Sequence, residues 1–239
     1  MTAIPASPPQ PVRSGSAIVR PGTKLYDFLF GLPLIVWYAV GFAQQAPALV
    51  HELASIAGPH SGPLVVIDAL AKTAGLLFAA LLVGLVAIRK PASSSARGFV
   101  PKAVAFLGAF LGIAILGLPR HAIAWPLQII SLALALGGMG FAVYALIWLG
   151  RSISIMSEAR RLVTGGPYAI VRHPLYLGEE TALIGLTMQF LSPVALGILG
   201  LQIGFQLYRM RFEEQVMREA FPEYASYETR VKRLIPGIY

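Results

Sequence analysis

The residues whose types could do chemistry gather in two short stretches of this 239-residue chain. The first runs from Arg160 to Gly178 and holds a Gly165-Gly166-Pro167 turn, followed within seven residues by Arg172-His173-Pro174. That is a costly composition for a mere linker. Pro167 and Pro174 each push the residue before them toward extended backbone, so the stretch is shaped, and it presents Tyr168, Tyr176, an imidazole and an Arg at one helix edge. The second stretch, Tyr208 to Tyr224, sets Arg209 and Glu213 four residues apart, on one face of a helix. Either stretch alone reads equally well as an interfacial Tyr/Arg belt with a surface ion pair. Together they read as a site.

Elements must bring the two stretches to one level. Apolar runs fall at 26–50, 64–88, 100–118, 122–150, 175–191 and 193–212, close to the roughly 20 residues that a bilayer core takes. The chain is 56% hydrophobic and 13% charged, whereas a soluble domain carries roughly a quarter charged residues. The expected fold is therefore an all-α integral membrane protein of about six transmembrane helices, with N-terminal helices over 25–150 and a C-terminal region over 151–239. Only Leu191-Ser192-Pro193 separates the last two runs. This predicts a tight antiparallel hairpin, with Pro193 at a helix start where its missing N–H costs nothing. The hairpin returns Arg209 and Glu213 to the level of His173.

Basic residues set the orientation. Of the 19 Lys and Arg, 17 lie in four stretches, at 1–24, 89–102, 151–172 and from Arg209 onward. Six spans put all four on one side, so both termini and the C-terminal site are expected to be cytoplasmic. Residues 1–24 are rich in Pro, Ser and Ala, lack the apolar core of a cleavable signal, and are expected to form a disordered cytoplasmic tail. The net charge of +8 is then a matter of topology, and no nucleic acid is expected as a partner. The lack of Cys removes disulfides, thiolate ligands and thiol nucleophiles. Asp68 and Lys72 read as a pair one turn apart that satisfies itself. Gly108 with Gly112, and Gly200 with Gly204, read as close-packing positions. His51, His60 and His121 share no ligand spacing and read as solvated, so no metal is expected. The helices read as lacking the chain of intramembrane ionisable residues, or the matched broken helices, that a transporter needs. The sequence leaves the oligomeric state open.

Three blocks in the C-terminal region carry a resemblance. They are Gly166-Pro-Tyr-x-x-Val-Arg-His-Pro-x-Tyr-x-Gly178, Arg209-x-x-x-Glu-Glu-x-x-Met217, and Phe221-Pro-Glu-Tyr-x-x-Tyr-x-x-Arg-Val231. Over about 153–236 the chain resembles the isoprenylcysteine carboxyl methyltransferase family and, more broadly, phospholipid methyltransferases. The first helices carry no such match. The resemblance implies a helical membrane enzyme that binds S-adenosylmethionine at the cytoplasmic face without a Rossmann sheet, in keeping with the absence of a strand–GxGxxG–helix pattern.

Carried over residue by residue, the resemblance has Leu162, Val163 and Tyr168 lining the cofactor pocket. His173, Pro174, Leu175 and Tyr176 wrap the adenosine and methionine portions, and Glu213 faces the amino group or ribose. Arg160 and Arg161 stand where a His-Thr pair is usual in eukaryotic members, and Arg161 is a candidate partner for the methionine carboxylate. Aromatic faces suit a sulfonium cation, and a buried Glu suits an ammonium or a hydroxyl. The implied acceptor is an amphipathic, lipid-like molecule. For a carboxylate acceptor, such as that of an isoprenylated cysteine, Arg209 is the anchor and no base is needed. An amine acceptor must lose a proton, and Glu214 is then the candidate base. Membrane sterol and steroid reductases using NADPH carry a similar Arg-His-Pro-x-Tyr segment and form the alternative enzyme class. A non-catalytic membrane protein of the same fold is the third reading.

Overall fold

A computed structural model describes residues 24–56, 63–90, 92–154 and 156–239. The expected tail, apart from Lys24, and His60 lie outside the described residues. The order is α1 (Lys24–Ile56), α2 (Pro63–Ile88), β1 (Ser94–Ser95), α3 (Phe99–Phe110), α4 (Trp125–Leu149), β2 (Glu158–Ala159), α5 (Pro174–Thr187), α6 (Pro193–Ala220) and α7 (Tyr224–Arg230). The all-α expectation holds among the described residues, which add a pair of two-residue strands. Among the described residues, three stretches are long and apolar enough to cross a membrane: Val65–Ile88, Phe99–Gly117 and Trp125–Ser152. Helix α5, with 14 residues, is shorter than a helix needs to span a bilayer alone. Helix α6 carries Arg209, Arg211, Glu213 and Glu214 on its second half.

Large apolar side chains point outward, among them Trp37, Leu77, Phe99, Trp125, Ile147 and Leu201. Helices packed in hydrocarbon gain nothing by hiding such groups from it, and small residues line the contacts between them instead. The tightest seam runs between α4 and α5. A Cβ on Gly138 would lie 2.4 Å from the Ala182 nitrogen, one on Gly178 2.6 Å from the Ala142 nitrogen, and one on Gly185 2.5 Å from the Ser131 carbonyl. Ser131 Oγ donates to the Gly185 carbonyl at 2.7 Å and accepts from Gln189 Nε2 at 2.9 Å. This seam went unread in the sequence.

The expected glycine pairs divide. Gly108 and Gly112 are close-packed, meeting Gln206 of α6 and Leu183 of α5 respectively. Gly200 and Gly204 have nothing within 4 Å beside their Cα positions, which overturns their reading as packing positions. Their spacing puts them on one face of α6, and the helix turns the opposite face, bearing Gln202 and Gln206, to its neighbours.

Helix α3 gives way to a 3-10 turn at Leu111–Gly117, and Gln202 bridges the change. Its amide accepts from Gly112 N at 3.1 Å and donates to the Gly108 carbonyl, serving backbone groups that the α-helical ladder leaves unpaired. The α5–α6 hairpin forms as expected. Ser192 caps α6 by accepting from Ala195 N at 3.1 Å, and Pro193 follows in the first turn.

Asp68 and Lys72 pair at 2.8 Å, and Glu52 of α1 joins them, also 2.8 Å from Lys72. His51 and His121 are exposed. The connection between α2 and α3 is held to the connection after α4, because β1 and β2 pair antiparallel with Ser94 opposite Ala159 and Ser95 opposite Glu158. Ser93 N donates to Ala159 O at 2.8 Å, Ala96 N to Ser157 O at 2.8 Å, and the Arg160 guanidinium to the Lys90 carbonyl.

Candidate active site

The segment between β2 and α5 is shaped by one turn. Gly166 takes φ 59° and lies so near Trp148 that a Cβ there would fall 2.3 Å from the indole Cε2. Only glycine suits both conditions. The extended backbone expected before Pro167 is found one residue earlier, at Gly165 with φ −96° and ψ 171°, because the chain turns left-handed at Gly166 to pass the indole. Tyr168 and Val171 are then buried, and the Tyr227 hydroxyl of α7 donates to the Tyr168 carbonyl at 2.6 Å. His173 precedes α5, with Pro174 in the first turn.

The hairpin brings the two stretches into contact. His173 Nε2 lies 3.2 Å from Glu214 Oε1 and Nδ1 lies 3.9 Å from Glu213 Oε2. Its ring stacks on Tyr176 at 5.5 Å between centroids and 8° between planes. The Tyr176 hydroxyl donates to Glu213 Oε1 at 2.5 Å, and Arg209 Nε donates to the same oxygen at 3.0 Å. The Arg209 guanidinium also sits over the Tyr176 ring, 4.9 Å from its centroid. A single unit of four side chains thus joins α5 to α6.

Beside this unit opens a cleft whose space, counted together with the open solvent at its mouth, is about 760 Å³. Arg161, Leu162, Val163, Tyr168, His173, Leu175, Tyr176, Glu213 and Glu214 all line it. The remaining two expected site residues stand behind its wall: Pro174 is buried at the start of α5, and Arg209 is only 5% exposed. Residues to which the sequence assigned no site role complete the lining, notably Ser154, Met217, Tyr224 and Tyr227. Tyr224 and Tyr227 belong to the third sequence block, so a signal for them was present.

Two groups face the cleft with capacity to spare. The Tyr168 hydroxyl is buried and has no hydrogen-bond partner among the described residues. Burial, then the field of Glu213, pushes its pKa well up, so it remains a donor at neutral pH. Arg161 is exposed at the cleft wall. Arg160, by contrast, is committed elsewhere, with a 2.6 Å ion pair to Glu158.

Glu214 differs from Glu213. It is fully buried and accepts both arms of the Arg233 fork, at 2.9 and 2.7 Å, while Arg172 and Arg218 stand 3.4 and 3.6 Å away. Burial alone would raise its pKa. The bonds from His173 and Arg233 and the charge of Arg172 outweigh that and hold it at about 2. A carboxylate so placed is a weak proton acceptor near neutral pH.

The polar face of α6 continues below the cleft. Gln202, Gln206, Arg209 and Glu213 follow at helical spacing, and the first three are buried. Across from them on α5 stand Glu179, which accepts from Gln206 Nε2 at 3.4 Å, and the buried Glu180. The described helices thus place Glu179, Arg209 and Glu213 in one polar grouping that Gln206 joins. It escaped notice because Glu179 and Glu180 sit on one run and their partners on the next, about 25 positions later.

Comparisons with known proteins agree with the blocks. Residues 126–224 match the model of the phospholipid methyltransferase family. The chain is 31% identical over 108 residues to the cobalt-zinc-cadmium resistance protein CzcN of Cupriavidus metallidurans, covering 45% of this chain and 50% of that protein. It is 29% identical over 102 residues to the nickel-cobalt-cadmium resistance protein NccN of Alcaligenes xylosoxydans xylosoxydans, covering 42% and 47%. It is also 29% identical over 129 residues to protein-S-isoprenylcysteine O-methyltransferase B of Arabidopsis thaliana, covering 51% and 64%. The chain thus spans about half the length of the first two relatives.

Proposed function

We propose that this chain, whose residues 126–224 belong to the phospholipid methyltransferase family and its isoprenylcysteine-type relatives, transfers a methyl group from S-adenosylmethionine to an amphipathic acceptor at the membrane. The observation that carries this reading is the His173–Tyr176–Glu213–Arg209 unit on the wall of an open cleft. The donor set suits the cofactor. The aromatic face of Tyr168 suits a sulfonium, Glu213 suits an ammonium or ribose hydroxyls, Arg161 suits a carboxylate, and the unpartnered Tyr168 hydroxyl has a donor to give. His173, Leu175, Leu162 and Val163 line the walls, with Pro174 buried behind them. S-adenosylmethionine, when bound, supplies an activated methyl group.

The work left to the protein is positioning, since a lone pair held in line with the methyl group needs little further help. The preferred acceptor is a lipid-borne carboxylate such as that of an isoprenylated cysteine, which is nucleophilic without a base. Arg209 orients it from behind Tyr176, at the price of sharing its guanidinium with Glu213. An amine acceptor would have to lose its proton to a group other than Glu214. The exposed apolar helices leave the acceptor's tail in lipid while its head reaches the cleft. We place six spans around it, counting α1, α5 and α6 with the three apolar stretches, and both termini in the cytoplasm.

Calorimetry on the purified chain in detergent tests the reading. S-adenosylhomocysteine is expected to bind at micromolar concentration and NADPH to give no heat. NADPH binding without any S-adenosylhomocysteine signal overturns it.

A further inference from the structure

Three guanidiniums meet around Glu214 and Glu228, and their distances sort them. Arg218 gives Glu228 three hydrogen bonds between 2.7 and 3.1 Å, and Arg172 lies 3.1 Å from Glu228 but 3.4 Å from Glu214. Arg233 is the guanidinium that turns its whole fork to Glu214. A two-bond fork fixes direction as well as distance, which a point charge does not. Arg233 is in turn held from the far side, donating to the Tyr239 hydroxyl at 2.6 Å with its guanidinium 5.1 Å from that ring.

The same residue also reaches His173 through the backbone. Val171 and Lys232 form a parallel bridge, Arg172 N donates to Lys232 O at 2.8 Å, and His173 N donates to Arg233 O at 3.0 Å. That last bond occupies an N–H at the helix entry, a position where no intrahelical partner exists. His173 is thus gripped twice by one residue: its N–H by the Arg233 carbonyl, and its ring, through Glu214, by the Arg233 side chain.

We propose that Arg233, nine positions beyond the family-matched stretch, is a positioning residue that sets the His173 ring against Tyr176 and so shapes the cofactor wall of the cleft. The consequence for binding rests on the methyltransferase reading; the consequence for His173 does not. Arg233 touches neither cofactor nor acceptor. Its effect travels through Glu214.

The test uses the full chain in lipid nanodiscs with labelled histidine. The chain has four histidines, and His173→Gln identifies one signal. Arg233→Ala is expected to move or broaden the His173 ring signal and leave those of His51, His60 and His121 in place. Affinity for S-adenosylhomocysteine should fall about tenfold, and Arg233→Lys, which keeps the charge but lacks the fork, should restore only part of it. In a Glu214→Gln background, Arg233→Ala should add little further loss, as for residues acting in one line. Arg233→Gln serves if the Ala variant does not fold. A His173 signal unchanged in the folded Arg233 variants, or full additivity with Glu214→Gln, overturns the proposal. Wild-type protein that binds no S-adenosylhomocysteine overturns the methyltransferase reading instead, and the His173 signal still decides the role of Arg233.

Discussion

The two neighbouring carboxylates at the inner end of α6 show how position decides chemistry. Glu213 lines the cleft and shares one oxygen between the Tyr176 hydroxyl and Arg209, whereas Glu214, the next residue, is fully buried among cations. Glu213→Gln should therefore weaken S-adenosylhomocysteine binding by about tenfold to a hundredfold, the worth of one charge-assisted hydrogen bond. Arg209→Lys should leave that affinity within a few-fold and lower methyl transfer by about a hundredfold, because the acceptor is no longer aimed. Lys is the informative replacement, since truncation to Ala would strand Glu213 and Glu179 beside an emptied, buried position. Two variants that lose binding and turnover in parallel would mean the pair is structural.

Glu214 makes a separate prediction through pH. Its pKa in the folded chain is about 2, below an ordinary value of 4.5, so its ionised form is favoured by folding. That contribution is complete above about pH 4.5 and fades as pH falls toward 2, with a span on the order of 3 kcal/mol. The thermal midpoint of wild-type protein should exceed that of Glu214→Gln by a margin that is constant from pH 7 to 5 and shrinks below 4.5. A margin independent of pH down to 3 would contradict the ion cluster.

At the scale of elements, the α4–α5 seam decides which glycines matter. Gly178→Ala drives a Cβ against α4 backbone, which cannot yield without parting the helices, and should lower the thermal midpoint clearly. Gly200→Ala and Gly204→Ala meet nothing within 4 Å and should be neutral or stabilise by roughly 0.5–1 kcal/mol, the usual gain from relieving glycine in a helix. The sequence could have revealed the seam, because Gly138 with Ala142 and Gly178 with Ala182 share the same four-residue spacing as Gly200 with Gly204. Spacing reports that a face is small, and only the partner's placement reports that it is used. The hairpin was legible because Ser192-Pro193 is a local cap-and-start signal. The juxtaposition of His173 with Glu213 followed from that hairpin alone. Arg233 was not legible, since its partner Glu214 lies 19 positions away across a turn and a short helix whose path no local rule predicts.

Across the whole molecule, the proposed function requires the cleft to open on the cytoplasmic side, where S-adenosylmethionine would reach it. Reporter fusions at Met1 and Tyr239 should both report cytoplasm. Opposite reports would make the span count odd, and α5, with only 14 residues, would be the element to strike from it.

The strand pair between Ser94-Ser95 and Glu158-Ala159 means that the family-matched portion does not end where its match begins. Glu158 and Arg160 form part of the cleft rim, yet the groups that hold this segment, the Ser93 amide on Ala159 and the Lys90 carbonyl on Arg160, come from the connection that follows α2. Grafting the region from residue 126 onward onto another protein's opening helices would leave this rim without its brace. A working hybrid must bring residues 90–96 along with the graft, so the seam for swapping parts lies no later than the end of α2.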